Sequence, residues 1–257
     1  MSNVVSFRRT PKVPEPEKVS AMVVAGSGGA ASTTTAYGLA TALRLGTGQD
    51  VSAVDATTDG GNLLARTGVT GIDPARSIRQ LENRMAVTSS GVVVVGGNGG
   101  HSNDPAIVDE LLAARHSARV HDVGQSVRSP RLAGLIRSGA ALVVVAPARS
   151  EPLSRMRDTL TWLMSNYGAD TLNETIVVVS HQMPESPADL APIRDALAPR
   201  IAGFVEVPFD PALAQPGVID HRRLAPATLD AWTDALDVLG NLMAKPDNQI
   251  SDAGELA

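Results

Sequence analysis

The 257-residue chain contains no cysteine, so it cannot form disulfides, thiolate metal sites or a cysteine nucleophile. Long apolar runs are absent as well, since none reaches the roughly 18 to 20 residues that a membrane-spanning helix needs. The first eighteen residues, MSNVVSFRRTPKVPEPEK, lack the apolar core and the cleavage site of a secretory signal. We therefore expect a cytoplasmic protein with no membrane insertion.

Aromatic residues make up only 3% of the chain, too few for the base-stacking surfaces of single-strand nucleic-acid binders. A formal net charge of -5 also disfavours a surface that attracts nucleic acid over its whole extent. Lysine is confined to Lys12, Lys18 and Lys245, so none lies between Val19 and Ala244. Any positive charge that a site in this region requires must come from arginine.

Short, nearly continuous apolar runs recur along the chain and predict strands that are covered on both faces of a sheet. They lie at 21–26, 51–55, 91–97, 118–122, 141–147 and 175–180. Helix-like segments alternate with them at 33–45, 73–86, 104–115, 129–138, 151–167, 188–199 and 226–243. This alternation predicts an α/β fold, a doubly wound and mostly parallel sheet with helices on both faces. We expect one domain over 19–243, with flexible tails at 1–18 and 244–257.

The most informative loop follows the first predicted strand. The segment AMVVAGSGGAASTTTAYGLATAL reads as a strand, a loop of small residues and a helix that begins with threonines. Small residues let backbone N–H groups approach a phosphate, and the helix N-terminus adds positive potential. This is the layout of a P-loop, except that Ser32 stands where the strict signature requires lysine.

The loop resembles the deviant Walker A motif of the ParA/MinD family, K-G-G-x-G-K-T-T, over residues 27–34. Ser27 and Ser32 replace both family lysines, and Ala31 replaces the third glycine. In the family the first lysine contacts the partner subunit's phosphates in a nucleotide-bridged homodimer, so Ser27 removes that contact. The resemblance implies a nucleotide site made by Gly28, Gly29, Ala30, Ala31, Ser32, Thr33 and Thr34.

The resemblance extends over residues 19–243. Asp55 matches the first aspartate of the family's D-x-D-x-x-G-N segment, and Thr57 replaces the second. The stretch ARVHDVG is similar to the Walker B strand and places Asp122 near magnesium. The stretch FVEVPFDP resembles the V-P-x-D segment that packs over adenine. The resemblance thus implies Mg²⁺ ligands Thr33, Asp55 and Asp122, catalytic Asp55 and Asp59 if the site is active, and nucleotide contacts from Pro208 and Asp210.

The lost lysines favour a pseudo-ATPase. The expected protein binds ATP or ADP with Mg²⁺ weakly or not at all and serves as a scaffold or regulator of a larger machine, such as a secretion or conjugation system. The whole pattern is most similar to actinobacterial MinD/ParA-like proteins of type VII secretion loci. An active ATPase that positions DNA or protein complexes is the alternative. Nonspecific DNA binding is a lesser one, through Arg128, Arg131, Arg137, Arg222 and Arg223.

Plainer interpretations remain open for each feature. The loop at 26–35 also fits a strand-to-helix turn without a ligand, and Asp55 and Asp122 also fit residues that cap turns. His121 is expected on the opposite face of its strand from Asp122. The glycine cluster 96–100 fits either an anion nest or a simple loop.

Overall fold

The structure, a computed structural model, describes residues 10–57, 63–70, 72, 78–96, 104–185 and 188–244. Over these ranges, eight strands form one sheet in the order β3-β4-β2-β5-β1-β6-β7-β8. The strands are β1 Ser20–Ala25, β2 Val51–Asp55, β3 Met85–Val87, β4 Val93–Val95, β5 Ala118–Gly124, β6 Ala141–Pro147, β7 Thr175–Ser180 and β8 Gly203–Val207. Every neighbouring pair is parallel except β3 and β4, which run antiparallel.

Helices lie between the strands along the described chain. They are α1 Ser32–Thr47, α2 Leu63–Thr67, α3 Pro105–Ala113, α4 Ala133–Arg137, α5 Ser150–Tyr167, α6 Asp170–Asn173, α7 Ala191–Leu197, α8 Pro211–Ala214 and α9 Pro226–Met243. Short 3-10 helices occupy Pro16–Lys18, Ile78–Arg84, Ser126–Arg128, Pro130–Leu132 and His221–Arg223. None of the helices in the described ranges combines the length and hydropathy of a bilayer-spanning segment.

The central strands are buried on both sides, which explains their continuous apolar runs. In β1, Ala21 and Val23 pack into one core with α1 and α9, whereas Met22 and Val24 pack into a second core with α5. Successive side chains of a strand point to opposite faces, so a strand between two helix layers needs apolar residues at every position. The predicted doubly wound, mostly parallel sheet is therefore confirmed.

Three element predictions were wrong in detail, mostly at the sheet edges. Within the predicted helix 73–86, the described residues form a 3-10 helix and then enter the edge strand β3. The other edge strand, β8, was not predicted as an apolar run. Its residues GFVEV are only partly buried, so polar residues are tolerated among them. The predicted helix 129–138 is a 3-10 turn followed by the short α4.

The N-terminal segment also differs from expectation. We expected residues 1–18 to form a flexible tail, but the described part, residues 10–18, packs against the body. The Lys12 N–H donates to Asp237 Oδ1 at 3.0 Å, and Gln49 Nε2 donates to the Pro14 carbonyl at 3.3 Å. Polar, proline-containing sequence predicts a loose arm, yet backbone groups of such a segment can still bind a folded surface.

Candidate functional site

The loop between β1 and α1 has the backbone of a tight strand-to-helix turn. Gly29 and Ala31 both adopt left-handed conformations, with φ of 68° and 63°. Ala31 is the residue that precedes the first turn of α1, where the resembling motif has glycine. A left-handed conformation costs an L-residue roughly 1–2 kcal/mol. The chain therefore holds Ala31 in a conformation that glycine adopts without this cost.

Thr33 of α1 and Asp122 of β5 are hydrogen-bonded to each other at the centre of the site. Thr33 Oγ1 donates to Asp122 Oδ2 at 2.6 Å, and Asp122 is fully buried. Burial raises the pKa of Asp122 to about 6; the Thr33 hydrogen bond opposes this shift, and the negative charge of Asp55 adds to it. Asp122 Oδ1 has no hydrogen-bond partner among the described residues. A buried carboxylate oxygen of this kind is suited to a cation or a bound water.

Asp55 lies beside Asp122 because β2 and β5 are neighbours and the two residues are paired in register. Its Oδ1 accepts hydrogen bonds from the Thr57 backbone N–H at 3.1 Å and from Thr57 Oγ1 at 2.7 Å. Thr57 stands where the resemblance expects a second aspartate. The hydroxyl thus orients Asp55 and adds no charge.

A cavity of about 670 Å³ opens above these residues at the carboxyl ends of the strands. The predicted residues that line it are Gly29, Ala30, Ala31, Ser32, Thr33, Thr34, Pro208 and Asp210. Asp55 and Asp122 lie behind it, reached through the lining threonines Thr57 and Thr33. Gly28 lines a separate cavity on the other side of the loop. Asp59 lies outside the described residues, as do residues 97–100 of the glycine cluster.

Asp210 forms the far wall through its own hydrogen bonds. Its Oδ1 accepts from the Ala212 N–H at 2.9 Å and so caps the start of α8. Its Oδ2 accepts from the Ala225 N–H and from Thr228 Oγ1, both at 2.8 Å. The carboxylate therefore connects the loop after β8 to the start of α9 and gives the cavity wall its shape.

Gln182 and Arg66 are among the residues of this cavity that sequence reasoning missed. Gln182, just after β7, donates through Nε2 to the Gly29 carbonyl at 2.6 Å. Arg66 of α2 donates through Nη1 to the carbonyls of Gln215 and Gly217, at 3.0 and 2.8 Å. The only sequence signal for Gln182 was its position directly after a predicted strand. Arg66 had none, because its partners lie about 150 residues away along the chain.

The other predicted polar residues lie in different surroundings. His121 Nε2 lies 2.8 Å from Asp109 Oδ1 of α3, away from the cavity. Arg222 is paired with Asp220 at 2.9 Å, and the Arg128 guanidinium lies 5.7 Å from the centre of the Trp162 ring. Within the described ranges, no group of three or more His, Asp or Glu residues is arranged to hold a metal ion by itself.

No protein-family model matches the sequence, and no curated protein matches it. Solved structures do. The chain is similar to a chain of the MinC:MinD cell division protein complex of Aquifex aeolicus, at 19% identity and a TM-score of 0.61, over 88% of this chain and 96% of that one. It is similar to a ParA family ATPase from Chlorobium tepidum TLS, at 15% identity and a TM-score of 0.56, over the same shares of the two chains.

A third similar structure is the septum site-determining protein MinD of Pyrococcus horikoshii OT3 in complex with Mg-ADP. It matches at 18% identity and a TM-score of 0.55, over 88% of this chain and 96% of that one. Structural similarity at sequence identities this low establishes the fold and leaves the activity open. The chain has the fold of the ParA/MinD ATPases.

Proposed function

We propose that the chain is a ParA/MinD-like protein with a degenerate ATP site, which acts as a noncatalytic or weakly nucleotide-binding scaffold or regulator. One observation carries the proposal: a P-loop turn borders a nucleotide-sized cavity, yet Ser27 and Ser32 occupy the positions of both motif lysines. No lysine lies between Val19 and Ala244 to replace them. The role of the protein would be to position or recruit a larger machine, such as a secretion or conjugation system.

The missing lysines weaken phosphate binding substantially. A hydrogen bond to a charged group contributes about 1.5–3 kcal/mol, which corresponds to roughly ten- to a hundredfold in affinity. Two such groups are absent here, and neither serine carries charge. The backbone N–H groups of the turn remain, so residual binding through them is consistent with the proposal.

The residues present fit a magnesium ion that arrives with a nucleotide. The unpartnered Asp122 Oδ1 lies next to Thr33, with Asp55 alongside, and Mg²⁺ prefers such oxygen ligands together with retained waters. Thr33 would hold the ion, with Asp55 and Asp122 behind it. The ion would neutralise charge on the phosphates.

The neighbouring carboxylates of Asp55 and Asp122 favour a second candidate function, an active ATPase. In this enzyme Asp55 and Asp59 would act on the attacking water. Such an enzyme would position DNA or protein complexes. Protein partners are proposed in either case, as a homodimer or within a larger assembly. The similar MinD in a MinC:MinD complex supports this part of the proposal.

Calorimetric titration with ATP and ADP in the presence of Mg²⁺ tests the proposal. We expect the unaltered chain to bind weakly or not at all, and Ser32→Lys to tighten binding at least tenfold because it restores a charge at the cavity wall. Ser165→Lys, at an exposed position of α5, is the matched control and should change nothing.

Micromolar binding by the unaltered chain would contradict the proposal. If ATP turnover accompanied that binding and Asp55→Ala abolished it, the second candidate function would replace the first. A Ser32→Lys variant that bound no better than Ser165→Lys would show that the loop cannot hold phosphate even with its lysine.

A further inference from the structure

Arg84, the last residue before β3, is a buried arginine. Only 2% of the residue is exposed, and its Nε has no hydrogen-bond partner among the described residues. Its Nη2 donates to the Gly96 carbonyl. Arginine is rarely buried to this degree without a partner of opposite charge, because a charge loses its hydration on burial. The buried guanidinium therefore calls for a compensating negative charge inside the protein.

Strand register brings Asp55 to the same end of the sheet as the bound guanidinium. The Gly96 N–H donates to the Arg84 carbonyl at 2.9 Å, so these two residues extend the β3–β4 ladder by one pair. Val95, the residue before Gly96, pairs with Val54, the residue before Asp55. The Gly96 carbonyl, to which the guanidinium donates, thus follows β4 at the level where Asp55 ends the neighbouring strand.

The charges of Arg84 and Asp55 act on each other in the core. Burial lowers the pKa of Arg84, and the negative charge of Asp55 opposes that shift. Asp55 also lies beside the buried Asp122, its register partner in β5. Two neighbouring carboxylates repel each other in a medium of low dielectric constant, so a nearby cation stabilises them.

Other cations are few around this site. No lysine lies between Val19 and Ala244, and the turn at 26–35 contains no arginine. Arg66 lines the cavity, but its guanidinium donates to carbonyls of the segment after α8. Among the described residues, Arg84 is thus the buried cation at this end of the sheet.

We propose that Arg84 is a built-in counter-charge for Asp55, which partly neutralises the carboxylates of the site without a metal ion. The proposal rests on the proposed function, since it treats the cavity as a nucleotide site that has lost its lysines. The charge of Arg84 also repels Mg²⁺, so the site binds this ion weakly when no nucleotide brings it. Arg84 is in this sense a positioning residue, which acts through Asp55.

Thermal unfolding with and without MgCl2, in the absence of nucleotide and at matched ionic strength, tests the proposal. We expect the unaltered chain to have the same Tm in both solutions. Arg84→Met should lower the Tm by several degrees, because Asp55 and Asp122 lose their counter-charge. Mg²⁺ should then recover part of the loss, since an ion that binds only the folded state stabilises it.

Two further single variants show whether the charge of Arg84 is responsible. Arg84→Lys keeps the charge, so it should stay closer than Arg84→Met to the unaltered chain in Tm and in Mg²⁺ response. Arg115→Met is the matched control. It removes an exposed arginine that is paired with Glu82 and lies near Met85 of β3, so it should show no Mg²⁺ response.

The double variant Arg84→Met/Asp55→Asn separates charge from packing. The asparagine keeps an acceptor for Thr57 but removes the charge, so the double variant should be more stable than Arg84→Met and unresponsive to Mg²⁺. This comparison also decides the case in which Arg84→Met does not fold. A double variant no more stable than the single one would overturn the proposal. Equal Mg²⁺ responses in the unaltered chain and Arg84→Met would do so as well, as would equal losses in Arg84→Lys and Arg84→Met.

These measurements use no nucleotide, so their outcome is separate from that of the ATP and ADP titrations. Micromolar ATP binding by the unaltered chain would overturn the proposed function and leave the Tm differences of the Arg84 variants unaffected. Weak nucleotide binding together with a double variant no more stable than Arg84→Met would leave the proposed function in place and remove only the counter-charge.

Discussion

Asp109 is a buried carboxylate that receives several side-chain hydrogen bonds. It accepts from Ser20 Oγ at 2.7 Å, from Arg119 Nε and Nη2 at 3.1 and 3.0 Å, and from His121 Nε2 at 2.8 Å. Burial by itself would raise the pKa of Asp109, but the hydrogen bonds and charges of His121 and Arg119 hold it well below its usual range. Arg119 also donates to the Pro16 and Glu17 carbonyls, at 3.0 and 2.7 Å.

This lowered pKa makes stability depend on pH in a definite direction. Ionised Asp109 stabilises the folded state above its unfolded pKa of about 3.9, and the contribution is lost as the pH falls further. We expect Asp109→Asn to lower the free energy of unfolding at pH 7 by about 3–5 kcal/mol, because it leaves buried Arg119 without its counterion. Urea unfolding between pH 7 and pH 3 measures both effects.

The variant should also lose less stability than the unaltered chain below pH 4. Glu110→Gln, at the exposed neighbouring position, is the control and should keep both the stability and its pH dependence. If acid lowered the stability of Asp109→Asn as much as that of the unaltered chain, other carboxylates would be the cause of the acid sensitivity.

At the scale of elements, the N-terminal segment 10–18 depends on a glycine of α9. A Cβ on Gly240 would lie 1.8 Å from the Lys12 carbonyl oxygen, which is backbone and has little freedom to move. Alanine normally favours a helix over glycine by about 1 kcal/mol. We expect the opposite at this position, because Gly240→Ala would displace the segment from α9.

Digestion with an endoproteinase that cleaves after lysine measures the displacement, since Lys12 and Lys18 are the only lysines before residue 245. Cleavage after Lys18 should become several-fold faster in Gly240→Ala. Gly134→Ala, in α4, is the control: its Cβ would meet only the Ala106 Cβ, at 3.3 Å. Unchanged cleavage after Lys18 would mean that the segment does not depend on this contact.

At the scale of the whole molecule, burial falls from the centre of the sheet to its edges. The strands β1 and β6 are buried at every position, whereas β3 has no buried residue and β8 is only partly buried. Strands with few buried contacts open locally at low free energy. We therefore expect amide hydrogens of β1, β5 and β6 to exchange most slowly and those of β3 to exchange fastest.

Native-state hydrogen exchange followed by mass spectrometry tests this order. A β3 that exchanged as slowly as β1 would indicate that something beyond the described chain covers that edge. The two cavities lie at the carboxyl ends of the central strands, whereas Ser20 and Arg119 lie near their amino ends. The cavities and the Asp109 cluster thus lie at opposite ends of the sheet, so Asp109→Asn should leave the cavities unchanged.

The amino-acid sequence by itself determined the doubly wound sheet and the position of the P-loop turn. Continuous apolar runs such as 141–147 arise because both faces of a central strand are covered, and this pattern is local. The absence of lysine between Val19 and Ala244 is likewise visible without coordinates. The edge strands β3 and β8 escaped prediction because partial burial removes the apolar signal.

Only the tertiary structure decided which distant groups meet. Arg149 reaches the cavity beside Ser27 because β1 and β6 are neighbours in the sheet, although 122 positions separate the two residues. Two of the hydrogen bonds of Asp210 and the packing of residues 10–18 on α9 also join separate segments of the chain. Such contacts follow from how the elements pack, which local patterns do not encode. The physical reason is that pattern and propensity act over neighbouring residues, whereas the charge and shape of a site depend on chain segments that folding brings together.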